Sequence, residues 1–306
     1  MRIYIIGSLN MDLVIRAPRV PEAGETLSGE GFMTNPGGKG ANQAVAVAKA
    51  GGEAYMVGCV GREFGKELSD ALTQYGVHTD YVRAEEDVSS GIAVIVVADG
   101  DNRIILDAGS NARADEALVD RALATAQAGD YLLLQLEIPL STVGYALKRA
   151  KERGMITVLN PAPAAKLGKA ALACCDWFTP NQTEAQFYTG IFPSDEESIR
   201  ACAEKLSGMG VRNVLVTLGT EGSACVSGGT FYRTNAVPAK ALDTTAAGDT
   251  YVGAFVTRLS EGADIETAMR FASTSSAITV TRRGAQCAIP VRSETMAYAR
   301  EKGIKV

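Results

Sequence analysis

Histidine is almost missing from this 306-residue chain, which has one, and tryptophan also occurs once. Catalysis by histidine therefore has a single candidate, His78. It lies in YGVHTDYV, between a helical and a strand pattern, and reads as a surface or junction residue. The six cysteines, at 59, 174, 175, 202, 225 and 287, contain no CxxC pair, and with one histidine they argue strongly against a zinc site. They read as buried free thiols of a reducing cytosol. Basic residues form no block: 30 Lys and Arg stand against 35 Asp and Glu, a net charge of −5, so no nucleic-acid partner is expected. No apolar stretch approaches a membrane span, and the opening MRIYIIGSLN is too short in apolar residues for a signal peptide. A cytoplasmic protein without a membrane partner is expected. Two nucleotide motifs are also missing. Without a GxGxxG, a dinucleotide dehydrogenase is disfavoured. There is no Walker A loop, because Gly40 follows Gly38-Lys39 and Met33 stands where the leading glycine belongs. Phosphate binding would need another loop.

What is present is an alternating α/β pattern. With 46% hydrophobic and 21% charged residues, the chain can bury a large core. Arg2–Gly7, Ala54–Val60, Tyr131–Gln135, Ile156–Leu159 and Val214–Leu218 are apolar runs that predict strands. Lys39–Ala50, Glu63–Tyr75, Thr142–Arg153 and Ser198–Gly208 carry helical patterns. Such alternation predicts a mostly parallel sheet covered on both faces. Residues 13–33 and 90–107 break the rhythm with short strand patterns and turns, the second around ADGDN. They read either as a small separate sheet, a lid over the carboxyl edge of the main one, or as extensions of the main sheet. The whole chain, 1–306, reads as one domain with these segments inserted.

Several motifs fall at strand exits. In SLNMDLV, Asn10 and Asp12 alternate and share one side of an extended chain, suited to gripping hydroxyls or to capping a turn. NPGGKGANQA opens a helix with glycines that admit a ligand to the backbone, and Lys39 and Asn42 share a face; an ordinary glycine turn fits as well. Glu137 ends YLLLQLEIP, where Pro139 prevents simple continuation as a central strand. PNQTEAQ reads as a capping box between Asn181 and Glu184, or as an Asn/Glu pair for a hydrated metal ion. LVTLGTEGS leaves a strand into a turn that either meets a nucleotide or closes a hairpin.

From DTTAAGDTYVGAF into the residues after it, positions 252, 255, 256 and 259 are apolar at helical spacing, so a helix begins near Ala247 and Gly248. Its free N–H groups and the small residues Ala246, Ala247 and Gly248 can cradle an anion. The alternative is a helix capped by Thr244 or Thr245 with Asp249 in its first turn.

Taken together, SLNMD, GGKGAN, QLE, PNQTE, TLGTEG, DTTAAGD and TRRGAQ, in that order over nearly the whole chain, resemble the ribokinase family of sugar kinases. The resemblance implies a three-layer α/β/α fold with a mostly parallel sheet and a β-sheet lid that often mediates homodimers. It implies transfer of a phosphoryl group from ATP to the 5-hydroxyl of D-ribose. Asn10, Met11, Asp12, Gly38, Lys39, Gly40, Ala41, Asn42, Glu137 and Asp249 would form the sugar site. Asp249 would be the base, with Ala246, Ala247 and Gly248 holding the transferring group. Asn181, Glu184, the turn of Thr217, Leu218, Gly219, Thr220, Glu221 and Gly222, and Gly248 and Ser273 would line the nucleotide and magnesium site. Potassium would bind near Asp243 and Thr245, facing Thr279, Arg282, Gly284 and Ala288, several of them through backbone carbonyls. NQTE stands where the family commonly has NETE, which removes one acid from the metal shell. Other readings remain open: a kinase for another small sugar such as deoxyribose or a fructose-like sugar, a nucleoside kinase, or a non-catalytic sugar- or nucleotide-binding regulator.

Overall fold

In the computed structural model, which describes residues 1–98 and 101–306, the continuous apolar runs form strands buried on both faces. In chain order the described strands are β1 (Arg2–Ile6), β2 (Asn10–Arg16), β3 (Glu30–Gly37), β4 (Glu53–Val60), β5 (His78–Ala84), β6 (Gly91–Ala98), β7 (Asp101–Asp107), β8 (Tyr131–Leu134), β9 (Ile156–Leu159), β10 (Trp177–Phe178), β11 (Asn213–Thr217), β12 (Ser223–Ser227) and β13 (Thr230–Thr234). The α-helices are α1 (Lys39–Lys49), α2 (Gly65–Gln74), α3 (Glu116–Leu123), α4 (Leu140–Glu152), α5 (Lys169–Leu172), α6 (Gln182–Thr189), α7 (Glu196–Ser207), α8 (Ala247–Ser260), α9 (Ile265–Thr279) and α10 (Arg292–Glu301).

Among the described residues, nine strands form one sheet in the order β13-β12-β11-β10-β9-β8-β1-β4-β5. It is parallel from β11 to β5, with β12 and β13 antiparallel at one edge. Alternate residues of one strand enter opposite cores. Ile3, Ile5, Tyr131 and Leu133 pack with α1, α8 and α9, whereas Tyr4, Ile6, Leu132 and Leu134 pack with α3, α4 and α7. Two apolar faces per strand explain why these segments read as continuous runs and not as alternation. His78 opens β5 and is exposed, its ring stacked on Tyr55 at 4.5 Å.

The two segments that interrupt the rhythm do not extend this sheet. They form a second one, in the order β3-β2-β6-β7. Its β6–β7 pair is antiparallel, with Ala98 opposite Asp101; Asp99 and Gly100 of the expected ADGDN turn lie outside the described residues. The small sheet reaches further than residues 13–33, since β2 starts at Asn10 and β3 ends at Gly37. Only Gly7, Ser8 and Leu9 separate β1 from β2, and only Gly38 separates β3 from α1. The sheet therefore grows out of the carboxyl end of β1, where open α/β sheets bind ligands. The joint is tight. Ala41 N donates to Ser8 O at 2.9 Å, and Gly38 takes a left-handed φ of 90°.

Candidate active site

A cleft of about 790 Å³ opens between the small sheet and the main one. Asn10, Asp12, Val14 and Arg16 line it from alternate positions of β2. Met11, between the first two, is fully buried on the opposite side and belongs to the core. From the main body come Lys39 and Asn42 of α1, Glu137 beyond β8, and Asp249 of α8. Glu137 ties the joint together: its Oε2 accepts from Ser8 Oγ at 2.5 Å and from Lys39 N at 3.1 Å. Gly40 and Ala41 are buried and serve the packing of α1. Gly38 lines the cleft floor.

Asp249 is buried, and both its oxygens are held from α1. Asn42 Nδ2 donates to Oδ2 at 3.0 Å and Gln43 Nε2 to Oδ1 at 3.0 Å. Asn42 Oδ1 is buried and has no partner among the described residues.

A second cavity of about 390 Å³ lies on the other side of the start of α8. Ala246 and Asp249 line the first cavity, Ala247 and Gly248 the second, so this helix N-terminus faces both. No threonine caps it. The N-cap is Ala246, without any side-chain cap, in a left-handed conformation with φ 59°. Such a backbone costs a non-glycine residue about 1–3 kcal/mol. Thr245 N is occupied instead by Asp243 Oδ1 at 2.9 Å. Ala247 N donates to Thr244 O at 3.2 Å, but no side chain caps the N–H groups that follow at the helix start, which suits anion binding.

Asn181, Thr217, Gly219 and Gly222 also line the second cavity. Asn181 and Glu184 form the capping box of α6, with Glu184 Oε2 accepting from Asn181 N at 2.8 Å and Oε1 from Asn181 Nδ2 at 3.0 Å. The 217–222 turn both closes the β11–β12 hairpin and borders the cavity. Within it Leu218 is buried, while Thr220 and Glu221 are exposed. Ser273 is buried beside Tyr251 and does not border the cavity. One turn further along α9, Ser276 does, donating to Ala247 O at 3.0 Å.

The model of the pfkB family of carbohydrate kinases matches residues 2–292. The chain belongs to this family. It is 40% identical to the ribokinase of Haemophilus influenzae, over 96% of this chain and 97% of that one. It is 36% identical to the deoxyribokinase of Salmonella typhi, over 95% and 96%. The structure of Arabidopsis thaliana ribokinase complexed with ribose and ATP superposes with a TM-score of 0.90 at 33% identity, covering 97% of this chain and 98% of the other. The fold is the ribokinase-like three-layer α/β/α fold with a small β-sheet lid, and the chain is a carbohydrate kinase.

Charge in the kinase's first cleft is concentrated. Burial, then the nearby charges of Glu137 and Asp249, push the Asp12 carboxyl up to about 7, against the pull of Lys39. Burial opposes the charge of Lys39, but Asp249, Glu137, Glu184 and Asp12 together hold its pKa above the ordinary lysine value. Glu184 is likewise raised by burial, with the Asn181 N–H and Lys39 pulling the other way. The linkage for Asp12 has a definite sign. Its folded pKa is raised, so its contribution is fully present below the ordinary carboxyl value and is lost as pH rises through about 7. Thermal melts of the ligand-free kinase and of Asp12→Asn, from about pH 4 to about pH 8, should show the variant gaining on the parent as pH rises. A difference independent of pH would refute this.

The donors available for cations are all oxygen, which suits hard ions. Among the described residues no group of three or more His, Cys, Asp and Glu gathers. Asp243 stitches the two segments expected at the potassium site, its Oδ1 accepting from Thr245 N and its Oδ2 from Gly284 N at 3.0 Å. Burial opposes its charge, but these hydrogen bonds outweigh it and lower its pKa. Around them the Thr279 hydroxyl is buried against Thr250 and Ser275, Arg282 pairs with Glu294, and Ala288 is buried. Any part these three take would fall to their backbone oxygens. Sequence reasoning missed Gln43, Gln135, Asn160 and Ser276. The quoted GGKGANQA and QLE contained the first two, but their polar side chains gave no periodic signal.

Proposed function

We propose that this kinase transfers the γ-phosphoryl group of ATP to the 5-hydroxyl of D-ribose, releasing ADP and D-ribose 5-phosphate. The observation that carries the reading is the position of Asp249, in the helix turn that faces both cavities. Sugar occupies the larger cleft, gripped by Asn10, Asp12, Lys39, Asn42 and Glu137. ATP occupies the smaller, along Asn181, the 217–222 turn and Gly248. The hydroxyl oxygen attacks the γ-phosphorus, its proton passes to Asp249, and the bond to the β-phosphate oxygen breaks. Backbone N–H groups of residues 246, 248 and 249 hold the oxygens of the group in flight, that of Ala247 being taken by Thr244 O. Two like charges about 4 Å apart repel by about 4 kcal/mol at an effective dielectric near 20. Magnesium, held by Asn181 and Glu184 through its waters, would offset that repulsion between Asp249 and the phosphates. Potassium, near Asp243, Thr245 and the backbone of residues 279–288, would order the segment before α8.

The whole chain, 1–306, acts as one unit with the small sheet as its lid, closing the cleft against water. The lid also supports a homodimer: Phe32 is 65% exposed, Val94 40% and Ile105 73%, on the face of the lid away from the cleft, a patch that a second copy would cover. Sedimentation of the purified kinase tests this, and a monomer would sink it. No described helix is long and apolar enough to cross a membrane. We assign a cytoplasmic setting from the six unpaired thiols.

The deciding assay couples ADP release to a panel of sugars and nucleosides, with and without potassium. Ribose should give the highest kcat/KM, and ADP release should require the sugar. The Salmonella relative favours one second reading, 2-deoxyribose. A higher kcat/KM for that sugar would replace ribose. Lys39→Ala should raise the sugar KM by about 10–100-fold, the loss of a charged hydrogen bond. An unchanged KM removes Lys39 from the sugar grip.

A further inference from the structure

Asp249 is held by two amides, and the mechanism above uses only one of them. Asn42 lines the cleft. Gln43 is fully buried and borders neither cavity, so its partners are within the protein. A buried amide can present either its NH2 or its oxygen to a neighbour, and only the NH2 holds a carboxylate. Here that choice is dictated from the backbone. Thr179 O, which can only accept, takes a hydrogen bond from Asn160 Nδ2 at 2.7 Å. This turns Asn160 Oδ1 toward Gln43, whose Nε2 donates to it at 3.0 Å. From the other side Gln135 Nε2 donates to Gln43 Oε1 at 2.6 Å. Gln135 does so although its own Oε1 stays buried without a partner among the described residues. A core selected for stability alone would favour an apolar side chain there.

The placement of these residues is systematic. Gln135, Asn160 and Thr179 are the first residues after β8, β9 and β10, three adjacent strands of the main sheet. Their ends form a polar row beneath the start of α8, and Gln43 connects that row to Asp249.

We propose that Gln43 is a positioning residue. Held by Asn160 and Gln135, it fixes the plane of the Asp249 carboxylate and hence the direction from which that group takes the proton. The inference rests on Asp249 being the base. Gln43→Leu removes the donor with little change of volume. It should lower kcat by about 10–100-fold, with the ribose KM and the ribose dissociation constant by calorimetry both within about threefold of the parent. In an Asp249→Asn background the same change should lower kcat by less than about twofold, because the two residues act as one unit.

The outcomes separate the two ideas. If Asp249→Asn keeps the parent's kcat, the base assignment fails and this inference with it. If Asp249→Asn is impaired but Gln43→Leu keeps kcat within about twofold, the base stands and the positioning role is overturned. A full loss from Gln43→Leu in the Asp249→Asn background also overturns it, as does a loss confined to ribose affinity. Should Gln43→Leu fail to fold, Gln135→Leu carries the test, since it frees the Gln43 amide without touching Asp249. A kcat lowered several-fold at unchanged ribose affinity supports the role, and an unchanged kcat overturns it.

Discussion

Asp249→Asn is expected to lower kcat by about 10²–10⁴-fold while leaving ribose affinity within about threefold. The change keeps the size of the side chain, so the packing of α8 survives. What it removes is the oxygen proposed to take the proton. It also alters the contact with α1, where Asn42 and Gln43 each donate to one carboxylate oxygen. An asparagine can accept from only one of them on its oxygen and presents a donor to the other. Affinity for ribose should persist because Asn10, Asp12, Lys39 and Glu137, the other residues of the proposed sugar grip, line the cleft independently of Asp249. Single-turnover measurements with saturating ATP, paired with calorimetry for ribose, check both halves. A kcat within tenfold of the parent would remove Asp249 as the base.

Gly40→Ala should be nearly as damaging to catalysis, for a steric reason. A Cβ at this position would lie 2.6 Å from Gly7 C and 2.6 Å from Ser8 N. These are backbone atoms between β1 and β2, and they cannot yield as a side-chain tip can. Overpacking of this kind costs about 1–3 kcal/mol, sometimes more. Its relief must shift α1, which carries Lys39, Asn42 and Gln43 into the site. A displacement near 1 Å can cost about 10²-fold, so kcat/KM should fall by that much together with the melting temperature. Gly144→Ala is the control, because a Cβ there meets only Ala171 Cβ at 3.7 Å. Parent-like activity in Gly40→Ala would show that the joint is more compliant than its contacts imply.

The main sheet was legible because strands buried on both faces leave uninterrupted apolar runs, as in Tyr131–Leu134. The cleft was half legible. Asn10 and Asp12 followed from period-two alternation; of GGKG, Gly38 and Lys39 line the cleft, while Gly40 is closed against the backbone of Gly7 and Ser8. Three things were hidden. Ala246 as N-cap could not be read from residue type, since neighbouring threonines are the better cappers and its left-handed backbone is a property of the folded loop. Ser276 in place of Ser273 is a matter of helix phase, set by how α9 packs on α8. The amides of Gln43, Gln135 and Asn160 meet across 92 and 117 residues of chain, and no local pattern announces such a meeting.

The small sheet carries Asn10, Asp12 and Asn35, and the main body carries Lys39, Asn42, Glu137 and Asp249, so the proposed grip on sugar is divided between two jaws. They are joined by four short crossings: Gly7 to Leu9, Gly38, residues 85–90 and Ala108. The span between the jaws, and not the chemistry of any one finger, then sets how tightly a sugar is held. Alterations in β6 or β7 that tilt the upper jaw will register as changes in sugar affinity, although many of the altered side chains never touch a hydroxyl. Selectivity among pentoses becomes a property of a hinge as much as of a pocket.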